Sequence, residues 1–523
     1  MNPDSGNAQN HSHPVTTHGH GHPVQSYGNG HTVDLRDAAK QSMLEHGFEP
    51  EFPPAVGEQL AELKAHPPVA AIDKSVRDLR NLLWSSIDND TSRDLDQIEA
   101  AESLPSGATK ILVGVADVDA YAPKGSAIDL HASKETTTVY TGVRVFPMLP
   151  EDLSTDATSL VEGKDRLCLV VEYVVDTQGC VISSDVYRAL VHNKAQLAYP
   201  SVGAWLEGKA DPPPKVAASA ELQAQLRLQD KVAQALKQER HRHGALDLDT
   251  IEVQPVVKDD QIVGLERREK NRATELIEDF MIAANGVVAR TLEAKKVASI
   301  RRIVKTPTRW SRIVELAQQL GEKLPAEPDS KALSEFLSKR SSVDPDHFAD
   351  LSLSVIKLMG PGEYVLERAG GVSDGHFGLA VQDYTHSTAP NRRYADLVTQ
   401  RLIKAIVVNG GANSKGAPEH MPYSEAELAS VAQNCTEKGD AARKVEREMS
   451  KRISAVAMSH RIGETFDAIV TGVTEHGTFV RVLTPHVEGL LIHGQEGLDV
   501  GDKLRAKLVR TDVDRGYIDF AKA

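Results

Sequence analysis

Apolar positions change period along this chain, and the change predicts its elements. The run ILVGVADV at 111–118 is continuous and short, as expected of a strand buried on both faces. Two β-rich runs, LCLVVEYVVD and CVISSDVYRAL, are joined by Thr177-Gln178-Gly179 and predict a hairpin. Beyond residue 220 the spacing becomes helical, in ELQAQLRLQDKVAQALKQER, KNRATELIEDFMIAANGVVARTLEAKK, NRRYADLVTQRLIKAIV and a run from Ser424 to about Arg461. Strands first and helices later predict an α+β body. After that body, five short alternating segments punctuated by Gly477, Gly489, Gly501 and Gly516 predict a small Greek-key, OB-type barrel.

The ends of this pattern divide the chain. Residues 1–31 are Gly/Ser/Asn/Pro-rich, carry six histidines and hold almost nothing apolar, which predicts a disordered tail. His11, His13, His18, His20 and His22 offer adventitious metal ligands there, but the composition favours a solvated segment. Residues 32–71 form a helical stretch, DLRDAAKQSMLEHGFEP, and a Pro-rich link, EFPPAVGEQ, too few for a domain of their own. No low-complexity break interrupts 72–460, so those residues form one body, and 461–523 form the barrel.

Composition narrows the function classes. The 523 residues carry 60 Lys+Arg against 74 Asp+Glu, a formal charge of -14, with 40% hydrophobic and 26% charged residues. This is a soluble profile without an apolar run long enough to span a bilayer, so no membrane role is expected. The three cysteines, Cys168, Cys180 and Cys435, are too widely spaced for a disulfide framework or a metal knuckle and fit a reducing cytoplasm. A net negative charge argues against a nucleic-acid partner. The local distribution answers that objection. Residues 32–110 hold 15 acids against 8 bases, whereas 294–313, AKKVASIRRIVKTPTRWSRI, hold seven bases and no acid. That stretch is a candidate phosphate track, and the bases from Lys438 to Arg452 extend it. Trp310 within it either stacks on a base or anchors the helical run that follows.

The densest chemistry lies in SIDNDTSRDLDQIEAAE, where Asp88, Asp90, Asp94, Asp96, Glu99 and Glu102 fall within seventeen residues. Carboxylates gathered this closely raise one another's pKa values unless a cation sits among them. Mg²⁺ takes such oxygen ligands while leaving positions for phosphate, and two ions about 4 Å apart can activate water on a phosphodiester. A solvated acidic loop is the alternative that spacing alone leaves open.

The segments IDNDTSRDLDQIEAAE, ILVGVADVDAYAPKGSAID, VYTGVRVFPMLPEDLSTDATSLVEGKDRLCLVVEYVVD, LIEDFMIAAN and HFGLAVQDYTHSTAPNRRYADLVTQR occur in this order. Together they resemble the catalytic domain of the RNase II / RNase R exoribonucleases, the RNB family, over about residues 72–460. The final barrel resembles the S1-type RNA-binding domain of the same family. The resemblance implies metal-dependent hydrolysis of single-stranded RNA from its 3′ end to nucleoside 5′-monophosphates, with no obligate protein partner. It implies metal ligation by Asp88, Asp94 and Asp96, with two Mg²⁺ ions, and catalytic roles for Asp96 and for Arg392 on the scissile phosphate. The family motif ends in two adjacent aspartates; Gln97 stands at the second and supplies no charge, so one metal site is weakened or rebuilt, with Glu99 the candidate to replace it.

The RNA-binding residues it implies are Tyr140 and Tyr199 as stacking faces, Glu278 and Glu446 towards the terminal nucleotides, Arg393 beside the catalytic arginine, and Phe479 in TEHGTFV of the barrel. Asp279 competes with Glu278 for its role, a helix salt bridge competes with the role of Arg393, and an i to i+4 pair with that of Glu446. His376 and Phe377 are expected to shape the site, while Phe466, His476, Arg481 and His493 are further barrel candidates. The family's paired N-terminal cold-shock barrels do not fit within residues 1–71, which predicts a wider mouth for RNA. Two other readings remain: an RNA-binding regulator whose nuclease centre Gln97 impairs, and a phosphodiesterase for other nucleic acids.

Overall fold

Six strands make the central sheet of the computed structural model: β1 (Val76–Asp78), β2 (Trp84–Asp88), β3 (Gln97–Ser103), β4 (Thr109–Ala116), β5 (Asp165–Val175) and β6 (Val181–Ala198). Residues 25–27, 31–68, 75–250, 252–258, 261–268, 270–371, 374–408, 418 and 420–523 are described. The tail ligands His11, His13, His18, His20 and His22, and the boundary at residue 72, lie outside them. The strand order is β1-β6-β2-β3-β4-β5. The long β6 runs antiparallel to β5 through the predicted hairpin and parallel to β1 and β2. At the hairpin turn the Asp176 carboxylate accepts the Gln178 and Cys180 amides at 2.8 and 2.9 Å, and Gly179 takes φ +88°.

The apolar run at 111–118 becomes β4, whose residues Leu112 to Ala116 pack on both faces, as its unbroken hydrophobicity requires. Gly114 in its middle has Ile98, Cys168 and the Trp84 ring 3.2–3.5 Å from where a Cβ would stand. Trp84 is fully buried there and donates its indole N–H to the Leu79 carbonyl at 2.8 Å.

Helices surround this sheet: α1 (Leu35–Glu45), α2 (Pro54–Ala65), α3 (Ala127–Glu135), α4 (Tyr199–Leu206), α5 (Ala220–Arg242), α6 (Arg272–Ala294), α7 (Trp310–Gln319), α8 (Ser330–Val343), α9 (Pro345–Met359), α10 (Tyr394–Val408) and α11 (Glu425–Ser459). Their starts follow capping chemistry. Asn271 and Thr274 form a capping box on α6, and Ser424 and Glu427 form another on α11. Helices α7 to α9 gather a separate small core around Trp310, Ile313, Leu333 and Phe336.

The C-terminal segments close into a barrel of five strands, β7 (Thr465–Thr474), β8 (Gly477–Val482), β9 (Val487–His493), β10 (Lys503–Asp512) and β11 (Tyr517–Lys522), in the order β7-β8-β9-β11-β10. Its interior side chains merge with apolar residues of α1 and α11 into one cluster. The α+β body and the terminal barrel are therefore as the periodicity implied.

The basic stretch at 294–313 is not one continuous stripe. Ser299–Ile303 is a strand paired with Glu363–Glu367, and its alternation turns Arg301 inward to 2% exposure. Lys295 is buried as well, and Trp310 anchors the small core with its indole N–H donated to the Pro325 carbonyl at 2.9 Å. Of the two readings of Trp310, the helical anchor is the one observed.

His376 likewise shapes the fold. It caps the turn Phe377–Leu379, with Nδ1 accepting the Leu379 amide at 3.1 Å, and burial and then Arg302 hold its imidazole down at about 4.

Two predictions follow from this packing. Trp84→Ala is expected to cost about 3–5 kcal/mol in denaturant unfolding, because a large void opens beside Gly114. The neutral His376 ring contributes stability in full above the ordinary value of 6.5, and this contribution is lost as pH falls towards 4. His376→Asn should therefore show a smaller loss of unfolding free energy between pH 7 and pH 5 than the wild type.

Candidate active site

The carboxylates meet at one end of the sheet because strand ends and one distant turn place them there. Asp88 closes β2, and its Oδ1 accepts the Asn89 amide at 2.7 Å and the Ser92 hydroxyl at 3.1 Å. Asp94 and Asp96 lie immediately before β3. Asp94 Oδ2 is 3.4 Å from the Tyr140 hydroxyl, and burial raises its pKa.

Asp96 is 2% exposed and tied to a segment far along the chain. Its Oδ1 accepts the Asn391 amide at 2.9 Å, while Oδ2 lies 3.3 Å from Arg392 Nε without a hydrogen-bond partner among the described residues. Burial pushes this carboxyl up to about 7, against the opposing pull of Arg392.

Arg392 is presented by the turn Ala389–Arg393 that leads into α10. The Arg392 carbonyl accepts the Thr138 amide at 3.0 Å, which docks the turn beside Tyr140. Asp396, fully buried, accepts the Ala389 amide at 2.9 Å and holds Arg393 through two bonds of 2.8 and 2.7 Å. Arg393 thus makes the salt bridge that competed with an RNA role, to the buried Asp396, while its own side chain stays partly exposed. Asn391 is buried. It supplies the amide for Asp96 and accepts the Thr158 hydroxyl at 2.6 Å. Asp396 and Asn391 are the site residues that sequence reasoning missed; the Arg393 to Asp396 spacing of three was the available signal.

Tyr140 keeps 43% of its surface exposed and donates its amide to Glu446 Oε1 at 3.1 Å, so Glu446 reaches the same place from α11. Burial, then the nearby Asp94 and Asp96 charges against Arg392, raise the Tyr140 hydroxyl far above its ordinary value. Glu446 also lines a cavity of about 210 Å³ with Arg302, Arg393, Arg443 and His386. Tyr199 begins α4, where burial and the charges of Asp88 and Glu99 raise its hydroxyl.

Other expected residues stand apart. Glu278 on α6 is half-exposed, 3.3 Å from Lys270 Nζ, in a pocket with Lys237, Arg240 and Asp279 instead of among the carboxylates. Asp279 is buried against Arg240, and burial pushes it up to about 7, so of the two acids only Glu278 is open to a ligand. In the barrel, Phe479 and His476 line a cleft of about 790 Å³ with Leu353, Lys451 and Tyr517. Arg481 lines it too, but Asp350 of α9 already holds its guanidinium through two bonds. Phe466 is a core residue packed under Arg461, so its candidacy for RNA contact is corrected.

Among the described residues no three His, Cys, Asp or Glu side chains already surround one point. The donor set nevertheless fits a hard divalent cation. It is all oxygen, and two of its buried oxygens, Asp96 Oδ2 and Glu99 Oε1, lack hydrogen-bond partners. Gln97 and Glu99 are both buried at the start of β3.

Comparison with known proteins shows the family. The RNB domain profile matches residues 76–409, and that of the RNase II-type exonuclease C-terminal S1 domain matches 464–523. Ribonuclease R from Thermotoga maritima is 32% identical over 469 residues, which is 85% of this chain and 64% of that protein. The chain spans about three fifths of the length of the curated relatives it matches. The fold is shared with Mycoplasma genitalium RNase R, solved in complex with ribose methylated single-stranded RNA, at 23% identity and TM-score 0.80 over 94% of this chain and 79% of that one. It is also shared with yeast Ssd1, a pseudonuclease, at 19% identity and TM-score 0.62 over 83% of this chain and 52% of that one. A profile match across most of the chain, together with these ordered carboxylates and the arginine turn, makes this chain a member of the RNB-domain family with an RNase II-type C-terminal S1 domain.

Proposed function

We propose that this chain is a divalent-metal-dependent exoribonuclease that hydrolyses single-stranded RNA from the 3′ end and releases nucleoside 5′-monophosphates. The observation that carries this reading is the convergence of Asp88, Asp94 and Asp96 with Arg392 and Tyr140 at the end of the sheet in an RNB-family chain.

In this reading Asp88, Asp94 and Asp96 hold the metal, Mg²⁺ in the first instance and two ions if Gln97 is compensated. A bound ion supplies a Lewis acid for the phosphate and a water of lowered pKa. The chain's own residues do the rest. Arg392, fixed by Asp96 and the Thr138 amide, forks its guanidinium onto the phosphate oxygens and offsets charge as it builds. Arg393, neutralised by Asp396, holds that turn rigid. The exposed Tyr140 ring stacks on a terminal base without reading sequence, Tyr199 supports the opposite wall, and Glu446 accepts a ribose 2′-hydroxyl, the group that separates RNA from DNA. Glu278 serves farther from the chemistry, and Phe479 in the barrel cleft engages RNA upstream. Unpaired cysteines at Cys168, Cys180 and Cys435 accord with work in a reducing cytoplasm, and among the described residues no helix is long and apolar enough to cross a membrane.

A second reading, an RNA-binding protein whose nuclease centre is impaired, is favoured by Gln97 and by the shared fold with a pseudonuclease. One assay separates the two. With 3′-tailed single-stranded RNA and Mg²⁺, wild type is expected to release nucleoside 5′-monophosphates. Asp96→Asn and Arg392→Lys should each lower that rate by roughly a hundredfold or more, and chelation should abolish it. RNA binding with no Mg²⁺- or Mn²⁺-dependent turnover by the wild type would establish the second reading.

A further inference from the structure

We infer that Glu99 is a metal-site carboxylate, restoring to the centre the negative charge that Gln97 lacks. The inference rests on the metal-dependent reading of the site given above, and it adds a residue to that site.

Strand geometry frames the argument. Side chains alternate across β3, so Asp96 and Gln97 turn to opposite faces, whereas Gln97 and Glu99 share one. A neutral amide at 97 leaves its face of the centre without charge. Glu99 returns a carboxylate to that face two residues farther in. Two residues of strand span about 6.8 Å, and the Glu side chain, one methylene longer than Asp, recovers part of the offset. Mg²⁺ keeps several of its waters, so a carboxylate one water away still belongs to its site.

The surroundings of Glu99 suit a metal ligand. The residue is 1% exposed, and its Oε1 has no hydrogen-bond partner among the described residues. Ser85, directly opposite it on β2, is fully buried with its hydroxyl oxygen equally unpartnered. No Lys, Arg or His among the described residues pairs with Glu99; the charge whose field reaches it is that of Asp88, and both act to raise the Tyr199 hydroxyl. A structural buried carboxylate ordinarily has a cation or several donors around it, as Asp396 has Arg393 and the Ala389 amide. The strand interior here calls for an apolar residue, and Ile98 and Ala100 on the other face conform. Glu99 breaks that pattern next to the position where the family's own carboxylate is missing.

Mn²⁺ titration of the full chain by calorimetry, with the Mg²⁺-induced rise in melting temperature alongside, tests this without reference to turnover. Glu99→Gln keeps the shape and removes the charge. It should weaken Mn²⁺ affinity at least tenfold and shrink the Mg²⁺-induced rise. The double variant Gln97→Asp/Glu99→Gln, which moves the charge back two residues, should return affinity to within about threefold of wild type. If Glu99→Gln fails to fold, Glu99→Asp decides, because it keeps the charge and withdraws the carboxylate by one methylene, and it should weaken Mn²⁺ binding at least threefold. Unchanged Mn²⁺ affinity in Glu99→Gln, or in Glu99→Asp where it must serve, overturns the role of Glu99 and leaves the metal-dependent reading standing. A wild type that binds no Mn²⁺ at millimolar concentration overturns both.

Discussion

The buried contact of Asp96 with the Asn391 amide and the Arg392 guanidinium holds this centre together. It joins positions 295 residues apart, the start of β3 and the turn into α10, and so fixes where the arginine stands relative to the carboxylates. A buried carboxylate is costly unless its lone pairs are satisfied, and breaking such a pair commonly costs several kcal/mol. That cost makes the docking of the turn specific. Asp396 applies the same logic one layer down, accepting the Ala389 amide and both nitrogens of the Arg393 fork. Two buried aspartates, each paired with a partly exposed arginine, thus hold five consecutive residues, 389 to 393, against the sheet.

The rest of the fold serves that placement. Trp84 and Gly114 fit the strands tightly enough to bring the ends of β2 and β3 together, and the long β6 binds partners on both edges. Helix α11 reaches the site from the far side with Glu446 and carries the barrel on its other end, sharing one apolar cluster with it. The pair Arg481–Asp350 ties the barrel to the small helical core around Trp310. The cleft lined by Phe479 therefore has both of its walls anchored to the RNB body.

Charge is distributed to suit the proposed site, which would hold cations and face phosphates. The chain is negative overall at -14, yet the cavity behind Glu446 gathers Arg302, Arg393 and Arg443 from three separate segments. Arg302 belongs to the basic stretch noted in the sequence, but Lys295 and Arg301 of that stretch are buried, so it does not face solvent as one continuous track. Positive potential here is built by folding distant arginines together more than by any run of them in sequence.

Period and punctuation in the sequence were enough for the α+β body, the hairpin at Thr177–Gly179, the long helices and the five-stranded barrel, because these depend on local spacing and backbone conformation. The ordered motifs also named Asp88, Asp94, Asp96, Arg392 and Tyr140, which the fold brings to one place. Other assignments depended on which face a residue turns inward, and that is set by partners far away in the chain. Strand pairing with Glu363–Glu367 buried Arg301, the barrel interior took Phe466, and Asp350 took Arg481. Glu278 was separated from Asp279 only by the position of Arg240 on another helix. The sequence by itself determined the elements and the kinds of chemistry they carry; tertiary structure alone decided which charges meet, because burial and pairing act through space between residues that the chain keeps hundreds of positions apart.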